Sequence, residues 1–282
     1  MSIEVAYLRG HIKSGTNWLC NLLNLHPNVS CKGEFHFEHM HKGYRDTMNA
    51  QFSFLNRKPS KFKNAYFKFI QDLVKLYCAE DNKDVKVVID RTPQAIGSTF
   101  IPNSKYLYIT RDGRDVIVSW TYHCLRIGIH SNKHIKSLAE NYKSNPNYYE
   151  HKKKFLLNDK AWVKHAAKMW NNRIVKDFEM KSKIDSGKLI ASLYWVKYEN
   201  LHKNVDYERK KIYAFLGVDP NLASELSDLT KPGFANKKTD NTSFYRAGKI
   251  GKWRSYFTKE QHSWFIEETK QAFEILELDQ IY

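Results

Sequence analysis

Short β-rich segments alternate with amphipathic helical patterns along this chain, and this alternation limits the folds open to it more than any other feature. The β-rich segments are residues 3–8, 85–90, 105–110 and 189–198. Between them, apolar residues recur every three or four positions, as in 66–77 and 162–178. Such alternation is typical of a parallel sheet covered by helices. We therefore predict an α/β fold with a central, mostly parallel sheet flanked by helices.

Local signals predict where two of the helices begin or end. The helical pattern that starts near Trp18 has to stop near His26, because Pro27 disfavours a helical residue before it. Thr258 and Gln261 have the spacing of a capping box, which opens the last helix. Residues 126–160 are rich in Asn, Lys, His and Tyr and only weakly periodic, so this segment could be a lid, a substrate loop or a solvated insertion.

The composition predicts one globular domain over residues 1–282. Hydrophobic residues make up 42% of the chain, which is enough for a core and argues against disorder. No apolar run approaches the ~18 residues that span a bilayer, and we expect no signal peptide. The four cysteines lie far apart and form no CxxC pair. This spacing favours a reducing, cytoplasmic location over a disulfide framework or a zinc site.

The charge of the chain predicts an anionic partner. Lys and Arg number 46 against 30 Asp and Glu, so the net charge is 46 − 30 = +16. Charge alone leaves nucleic acid, a membrane surface and a phosphorylated small molecule open.

The glycine-containing turn after the first β-rich segment is a candidate anion site. A turn between a strand and a helix directs backbone N–H groups and the positive helix end at an anion. Gly10 and Gly15 have the spacing of the ATPase loop Gly-x4-Gly-Lys-Ser/Thr. However, Lys13 precedes Gly15 by two residues, and Asn17 stands where the hydroxyl ligand of Mg²⁺ would be. From the glycines alone, the turn is either an ordinary βα turn or a phosphate loop of another class.

The segment Lys13-Ser14-Gly15-Thr16-Asn17-Trp18 resembles the Lys-Ser-Gly-Thr-Thr-Trp loop of sulfotransferases that use 3′-phosphoadenosine 5′-phosphosulfate (PAPS). The resemblance implies a fold of the P-loop nucleotide-binding type, in which this loop binds the 5′-phosphosulfate. It also implies that Lys13 neutralises the bridging oxygen as the sulfuryl group leaves, and that Trp18 stacks on the adenine. A fixed cation at that oxygen stabilises the developing negative charge without a metal. Trp18 is equally well placed to pack in the core at the helix start.

The segment 105–119 resembles the second signature of the same family, in which an arginine at a strand end and a serine eight residues later bind the 3′-phosphate. Arg111 and Ser119 have that spacing. A guanidinium offers fork-like hydrogen bonds to phosphate, and a hydroxyl two helical turns further can close on it. The alternative is a surface network of arginines with Asp112 and Asp115.

Two further segments resemble that family. Residues 244–258 resemble its C-terminal Arg-Lys-Gly-x-x-Gly-x-Trp segment, whose head wraps the 3′-phosphate. Arg246 and Gly248 match this head, Ala247 replaces the lysine, and Lys249 is close enough in sequence to compensate. Residue Tyr198 occupies the position of a family tyrosine near the adenine, although a tyrosine at a strand end is also common in packing.

The resemblance also suggests a general base, which transfer to a hydroxyl usually needs. Cytosolic aryl and steroid members carry a histidine in a Lys-Thr-His-x-Pro segment, but the matching residues 89–93 have Arg91 at that position. Tyrosylprotein and several carbohydrate members use a glutamate after a His-Pro turn, and Glu34 falls there without a gap. Glu34 is therefore the first candidate, His36 the second and Asp90 the third. Alternatively, Glu34 is a solvated carboxylate in a loop.

Three functions are consistent with these residues. The leading hypothesis is a sulfotransferase that moves a sulfuryl group in line from PAPS to a hydroxyl of a small molecule, sugar or peptide and releases PAP without a metal. The second is a P-loop nucleotide kinase-like phosphotransferase with Asp90 on Mg²⁺. The third is a non-catalytic basic module that binds a polyanion, although no nucleic-acid signature is present. We expect no metal site and no nucleic-acid partner, and the oligomeric state stays open.

Overall fold

The structure is a computed structural model that describes residues 3–50, 54–80, 84–128, 132–228, 230–232, 239–243, 246 and 248–282. The described residues form one five-stranded parallel sheet: β1 (Glu4–Gly10), β2 (Val29–Lys32), β3 (Val87–Arg91), β4 (Lys105–Thr110) and β5 (Ser192–Lys197). The helices are α1 (Thr16–Leu23), α2 (Glu38–Asn49), α3 (Pro59–Cys78), α4 (Gly113–Ile127), α5 (Lys133–Ser144), α6 (Tyr148–His151), α7 (Lys160–Asp185), α8 (Tyr198–Lys203), α9 (Val205–Leu216), α10 (Trp253–Tyr256), α11 (Lys259–Glu267) and α12 (Lys270–Leu276). Short 3₁₀ turns lie at Phe54–Arg57, Ile96–Thr99, Lys153–Phe155 and Pro220–Leu222. The predicted α/β class is confirmed.

The strand order is β2-β3-β1-β4-β5, so the chain changes direction across the sheet at β1. It first builds β2 and β3 on one side of β1, and then crosses to β4 and β5 on the other. In an open parallel sheet, ligands bind outside the carboxyl ends of the strands where the order reverses. This topology places the expected site beyond the end of β1.

Each face of the sheet is covered by its own apolar core, because successive strand residues point to opposite faces. Tyr7 of β1 faces the larger core, which includes Trp170 of α7 and residues of α3, α4, α5, α11 and α12. The next residue, Leu8, faces a second core with Leu19 of α1 and Tyr213 of α9. Both faces of β1 are thus buried, which leaves its carboxyl end as the accessible part of the strand.

Most of the predicted elements are present. The β4 strand has the predicted bounds, and β1, β3 and β5 overlap the predicted segments. Helix α1 ends before His26. The capping box is confirmed: the Thr258 side chain accepts from the N–H of Gln261 at 3.1 Å, and the Gln261 side chain accepts from the N–H of Thr258 at 3.0 Å.

Two segments differ from the sequence-based expectation. The short strand β2 was not predicted. The interpretation of 126–160 as a solvated insertion is wrong, because α5 and α6 bury Ile135, Leu138, Tyr142 and Tyr149 in the larger core. This segment therefore belongs to the body of the fold.

The described part of the chain was also searched for a membrane-spanning helix and for metal-binding clusters. It contains no helix of the length and apolarity needed to cross a bilayer. In the same residues, no group of three or more His, Cys, Asp or Glu is arranged to hold a metal ion. Each of the four cysteines is a buried free thiol.

Candidate active site

The loop between β1 and α1 lies at the point where the strand order reverses. Two glycines allow its close packing: a Cβ on Gly10 would stand 2.6 Å from the carbonyl oxygen of Ile109, and one on Gly15 would stand 2.6 Å from a ring carbon of Tyr198. Gly15 has φ 105° and occupies the N-cap position of α1, where it offers no capping side chain. The N–H groups of the first turn of α1 are therefore left for a ligand or solvent.

A cleft of about 670 Å³ opens beside this loop. It is lined by Lys13, Gly15, Thr16, Asn17, Trp18, Arg111, Asp115, Ser119, Tyr198, Arg246, Gly248, Lys249 and Lys252. Five of these side chains are cationic and one is a carboxylate, so the lining is strongly positive. Residues from three separate sequence segments and from Tyr198 thus meet in one cleft, with the chemistry that a phosphorylated ligand requires.

Lys13 lies close to several arginine side chains. Its backbone has φ 65°, in the left-handed region. Burial, together with the nearby guanidinium groups of Arg126, Arg111 and Arg246, lowers the pKa of its ammonium group from 10.5 to about 8. An anion bound beside Lys13 would offset both effects, because it favours the charged form.

Arg111 is positioned at the carboxyl end of β4. Its guanidinium lies over the ring of Tyr198 at 4.3 Å, and its Nη2 donates to the carbonyl of Lys249 at 2.9 Å. Its Nε has no hydrogen-bond partner among the described residues. The donor group is therefore held rigidly, with hydrogen-bonding capacity that a phosphate can use.

The alternative interpretation of this motif as a surface charge network is wrong. Arg114 does pair with Asp112 at 2.8 Å, but the pair is buried, and the guanidinium of Arg114 lies 4.0 Å from the ring centre of Trp253. This pair fixes the start of α4. Ser119, two helical turns after Arg111, lines the cleft together with Arg111.

Asp115 anchors the C-terminal loop to α4. Its carboxylate accepts from the backbone N–H of Gly251 at 2.7 Å and of Trp253 at 2.9 Å. The Tyr198 hydroxyl donates to the carbonyl of Gly248 at 3.1 Å. These contacts bring Gly248 and its neighbours to the cleft, whereas Ala247 lies outside the described residues.

Arg246 enters the cleft from the same loop. Its Nη1 donates to Glu150 at 3.2 Å, and its guanidinium lies 4.5 Å from the ring centre of Tyr122. Its Nε, like that of Arg111, has no partner in the described part of the chain. Segment 126–160 therefore supports the cleft through Glu150.

Trp18 packs in the core at the helix start and also reaches the cleft. Its side chain is buried against Tyr198 with ring centres 5.1 Å apart, and its indole N–H donates to the carbonyl of Thr230 at 2.8 Å. It nevertheless lines the cleft. By contrast, Ser14 does not line the cleft, although its buried hydroxyl has no partner in the described residues.

The first two candidate bases are linked to the cleft through Arg91. Arg91 donates to Glu34 at 2.8 Å and to the side-chain oxygen of Asn17. The other carboxylate oxygen of Glu34 lies 3.4 Å from Nε2 of His36, and Nδ1 of His36 lies 3.0 Å from Glu38. Neither Glu34 nor His36 lines the 670 Å³ cleft, but Arg91 connects Glu34 to Asn17 in the first turn of α1.

The third candidate, Asp90, is not available to a substrate. It is fully buried, pairs with the equally buried Arg9 at 2.7 Å, and accepts from the hydroxyl of Thr92 at 2.6 Å. Its predicted roles as a base or as a Mg²⁺ ligand therefore do not fit the structure.

Sequence reasoning missed three contributors to the site. Lys252 lines the cleft, Asp115 holds the C-terminal loop, and Arg91 joins Glu34 to Asn17. Asp115 belongs to the second motif, so its position in the sequence was a usable signal. Lys252 likewise lies within the 244–258 segment, whereas the role of Arg91 depends on contacts with residues far away in the sequence.

Residues 7–276 match a family model described as the sulfotransferase domain. The chain is 23% identical to the human protein sulfotransferase 1C2 over 192 residues, which cover 61% of this chain and 55% of that protein. The match thus spans only about half the length of this relative.

Two solved structures share the fold. The sulfotransferase domain of the olefin synthase of Synechococcus PCC 7002 is 16% identical, with a TM-score of 0.53 over 99% of this chain and 97% of that one. Mouse sulfotransferase SULT7A1, solved in complex with PAP, is also 16% identical, with a TM-score of 0.51 over 97% of this chain and 86% of that one.

Proposed function

This chain belongs to the sulfotransferase family, and we therefore propose that it transfers a sulfuryl group from PAPS to a hydroxyl group and releases PAP. One observation carries the proposal. Lys13, Arg111 and Ser119, which come from two motifs nearly 100 residues apart, line a single cleft. Two anion-binding groups in one cleft fit a donor that carries a phosphosulfate at one end and a phosphate at the other.

The lining of the cleft matches the chemistry of this donor. Lys13 and the first turn of α1 would hold the phosphosulfate, while Arg111, Ser119 and Arg246 would hold the 3′-phosphate. Trp18 and Tyr198 supply aromatic surface for the adenine. The Nε groups of Arg111 and Arg246, which have no partner among the residues that the structure describes, are donors that a phosphate can satisfy.

The proposed reaction is an in-line displacement at sulfur. The acceptor oxygen forms a bond to sulfur, the bond from sulfur to the bridging oxygen breaks, and the electron pair stays on the departing PAP. Lys13 stabilises the charge that develops on that oxygen. Glu34 takes the hydroxyl proton, with Arg91 fixing the orientation of its carboxylate.

The two other functions have less support. A kinase would need a metal-binding carboxylate, but Asp90 is engaged with Arg9. The side chain of Asn17, which replaces the usual hydroxyl, accepts from Arg91. A general polyanion-binding module would spread its cations over a surface, whereas five of them converge here on one cleft. The free thiols are compatible with the cytoplasmic location that we expect.

Thermal unfolding with candidate nucleotides tests this proposal. PAP without Mg²⁺ should raise the melting temperature, and Mg-ATP should not. Radioactive sulfur from PAPS should then appear in at least one member of a panel of phenols, alcohols, sugars and tyrosine peptides. Stabilisation by Mg-ATP but not by PAP would contradict the proposal and favour the kinase.

A further inference from the structure

A carboxylate and two tyrosine hydroxyls surround the guanidinium of Arg246. We call these three residues, Glu150, Tyr122 and Tyr256, the Glu150 cluster. Arg246 lines the donor cleft, whereas these three residues do not. They belong to three separate helices, α6, α4 and α10, and both tyrosines are buried. The cluster therefore connects Arg246 to the body of the fold.

The hydrogen bonds of the Glu150 cluster form a closed ring with Arg246. Nη1 of Arg246 donates to Glu150 at 3.2 Å and to the hydroxyl of Tyr256 at 3.2 Å. The Tyr256 hydroxyl donates its own proton to the same oxygen of Glu150. The hydroxyl of Tyr122 lies 3.4 Å from that of Tyr256, and its ring centre lies 4.5 Å from the guanidinium. Arg246 is therefore held by hydrogen bonds and by an aromatic ring at the same time.

The carboxylate of Glu150 is ionised in this setting. Burial alone would raise its pKa, but the hydrogen bond from Tyr256 and the nearby cations Lys252 and Arg246 outweigh burial, so the pKa lies below its usual value. The Tyr256 hydroxyl keeps its proton, because burial raises its pKa to about 12. Glu150 and Arg246 thus form a charge-assisted pair, which is stronger than a hydrogen bond between neutral groups.

The Glu150 cluster occupies one nitrogen of the guanidinium and leaves another for a ligand. Nη1 makes the contacts above, whereas Nε of Arg246 is buried and has no hydrogen-bond partner among the described residues. An arginine side chain loses conformational freedom when it binds an anion, and one that is already held has less to lose. The cluster therefore prepares Arg246 for a phosphate in the cleft.

Glu150 also has an opposite effect on such a phosphate. Its negative charge, next to Arg246, repels an anion bound there. However, the same carboxylate pairs with Lys153 at 3.8 Å as well as with Arg246, so its charge is neutralised from two sides. We expect repulsion to be the smaller effect, because the phosphate contacts Arg246 directly and Glu150 only through it.

We propose that Glu150 is a positioning residue for Arg246 and that the Glu150 cluster sets the preference of the donor cleft for a nucleotide with a 3′-phosphate. This inference rests on the proposed function, because it takes Arg246 as a ligand of that phosphate. Glu150 acts only through Arg246, so its removal affects binding of the 3′-phosphate and not of the adenine or the 5′-phosphate. Helix α6 is thereby part of donor recognition.

Calorimetry with PAP and with adenosine 5′-phosphate, which lacks the 3′-phosphate, measures this preference. Glu150→Ala should weaken binding of PAP about tenfold and leave the affinity for adenosine 5′-phosphate within about twofold. Glu150→Gln keeps an acceptor oxygen for Arg246, so its affinity for PAP should stay within about threefold of that of the unaltered protein. Glu140→Ala removes a carboxylate from an exposed position of α5 and should change neither affinity. Unchanged or tighter binding of PAP by Glu150→Ala would overturn the inference, because repulsion would then be the main effect of Glu150.

A double variant tests whether Glu150 acts through Arg246. When Arg246→Met is already present, Glu150→Ala should change the affinity for PAP by less than about twofold, because the group that it positions is gone. A further loss of about tenfold would show that Glu150 acts by another route and would overturn the inference.

Urea denaturation shows whether Glu150→Ala is folded. If it is not, Tyr256→Phe replaces it, because this change removes only a hydroxyl that accepts from Arg246. Its preference for PAP over adenosine 5′-phosphate should fall by about threefold or more, and an unchanged preference would overturn the inference.

The two proposals fail in different ways. If the unaltered protein binds PAP and Glu150→Ala keeps the full preference for it, only the role of Glu150 is contradicted. Failure of the unaltered protein to bind PAP would contradict the proposed function itself.

Discussion

The carboxylate of Asp115 accepts a hydrogen bond from the backbone N–H of Trp253 at 2.9 Å, across 138 residues of the chain. The other oxygen of the same carboxylate accepts from Gly251. Arg111 comes two residues before helix α4, Ser119 lies along this helix, and Asp115 of the same helix fixes the loop that supplies Arg246. The proposed 3′-phosphate site is assembled around this one helix.

Asp115→Ala should weaken both the fold and the affinity for PAP. Two backbone N–H groups lose their acceptor, so we expect the free energy of unfolding to fall by about 1–3 kcal/mol. The affinity for PAP should fall about tenfold, because the loop that presents Arg246 is no longer fixed. Urea denaturation and calorimetry measure the two effects. Asp185→Ala, at an exposed position of α7, is the control and should change stability by less than about 0.5 kcal/mol. Equal behaviour of the two variants would show that Asp115 does not organise the loop.

Lys13→Met should abolish most of the transfer while the protein stays folded. The bridging oxygen loses its fixed cation, and removal of one such stabilising group costs about 10²–10³ in kcat. The rate of PAP release from PAPS and acceptor at saturation gives this number. Lys210→Met, an exposed lysine of α9, should retain full activity. Unchanged kcat in Lys13→Met would remove Lys13 from the mechanism.

Affinity for PAP should decrease as the pH rises above about 8. The pKa of Lys13 in the ligand-free protein is lowered to about 8, mainly by burial. Bound PAP favours the ammonium form and raises this pKa, so binding above pH 8 requires uptake of a proton. Calorimetry in buffers of different ionisation enthalpy measures that uptake. Lys13→Met should bind PAP more weakly and show no proton uptake of this origin, and an identical pH dependence in the variant would contradict the assignment.

The same lowered pKa has a second consequence for the ligand-free protein. The folded chain binds fewer protons at Lys13 than the unfolded chain between pH 8 and 10.5. This group therefore makes the free energy of unfolding rise with pH in that window. Between pH 8 and pH 9.5, the free energy of unfolding of the unaltered protein should therefore increase relative to that of Lys13→Met. A difference that stays constant over this range would show that the pKa of Lys13 is not lowered.

Gly15→Ala should lower the free energy of unfolding and the affinity for PAP by more than its backbone angle alone explains. A left-handed angle costs an alanine about 1–2 kcal/mol, and at Gly15 the new Cβ would also stand 2.6 Å from the ring of Tyr198. Gly187 has φ 72° with nothing within 4 Å of its Cβ position, so Gly187→Ala isolates the backbone cost. We expect a larger loss of unfolding free energy in Gly15→Ala, together with weaker PAP binding that Gly187→Ala does not show. Equal losses in both variants would mean that the ring contact is unimportant.

Glu34→Gln tests the proposed base. The amide cannot take the hydroxyl proton, so kcat should fall about 10²–10⁴-fold while the affinity for PAP stays within about threefold. Single-turnover rates with saturating PAPS measure the chemical step. His36→Gln is the comparison and should have a much smaller effect. A large loss in His36→Gln with little change in Glu34→Gln would transfer the role of base to His36.

The sequence predicted the strand β4, the turn between β1 and α1 and the capping box because each depends on neighbouring residues. It did not predict β2, since Val29–Lys32 is only four residues long and follows Pro27 closely. Helix α5 was missed although its buried residues Ile135, Leu138, Ala139 and Tyr142 recur at helical spacing. The many polar residues between these four apolar residues made their helical spacing hard to recognise in the sequence.

Most of the cleft residues could be named from their motifs, but the contacts that support them could not. Glu150 lies 96 residues from Arg246, and Arg91 lies 74 residues from Asn17. Such pairs are set by how the helices and loops pack across the sheet. Asp90 shows the converse error: its place in a strand suggested a site residue, and burial against Arg9 gives it a structural role.

Chemical labelling of a buried thiol can measure local opening around helix α1, which follows the loop after β1. Cys20 lies in α1, and its Sγ donates to the carbonyl of Cys31 in the edge strand β2 at 3.1 Å. Reagents that alkylate sulfur reach such groups only when the surrounding segment opens. The labelling rate of Cys20 therefore reports how often helix α1 separates from strand β2 at the sheet edge. The decrease in this rate when PAP is added would measure how far the nucleotide suppresses that opening.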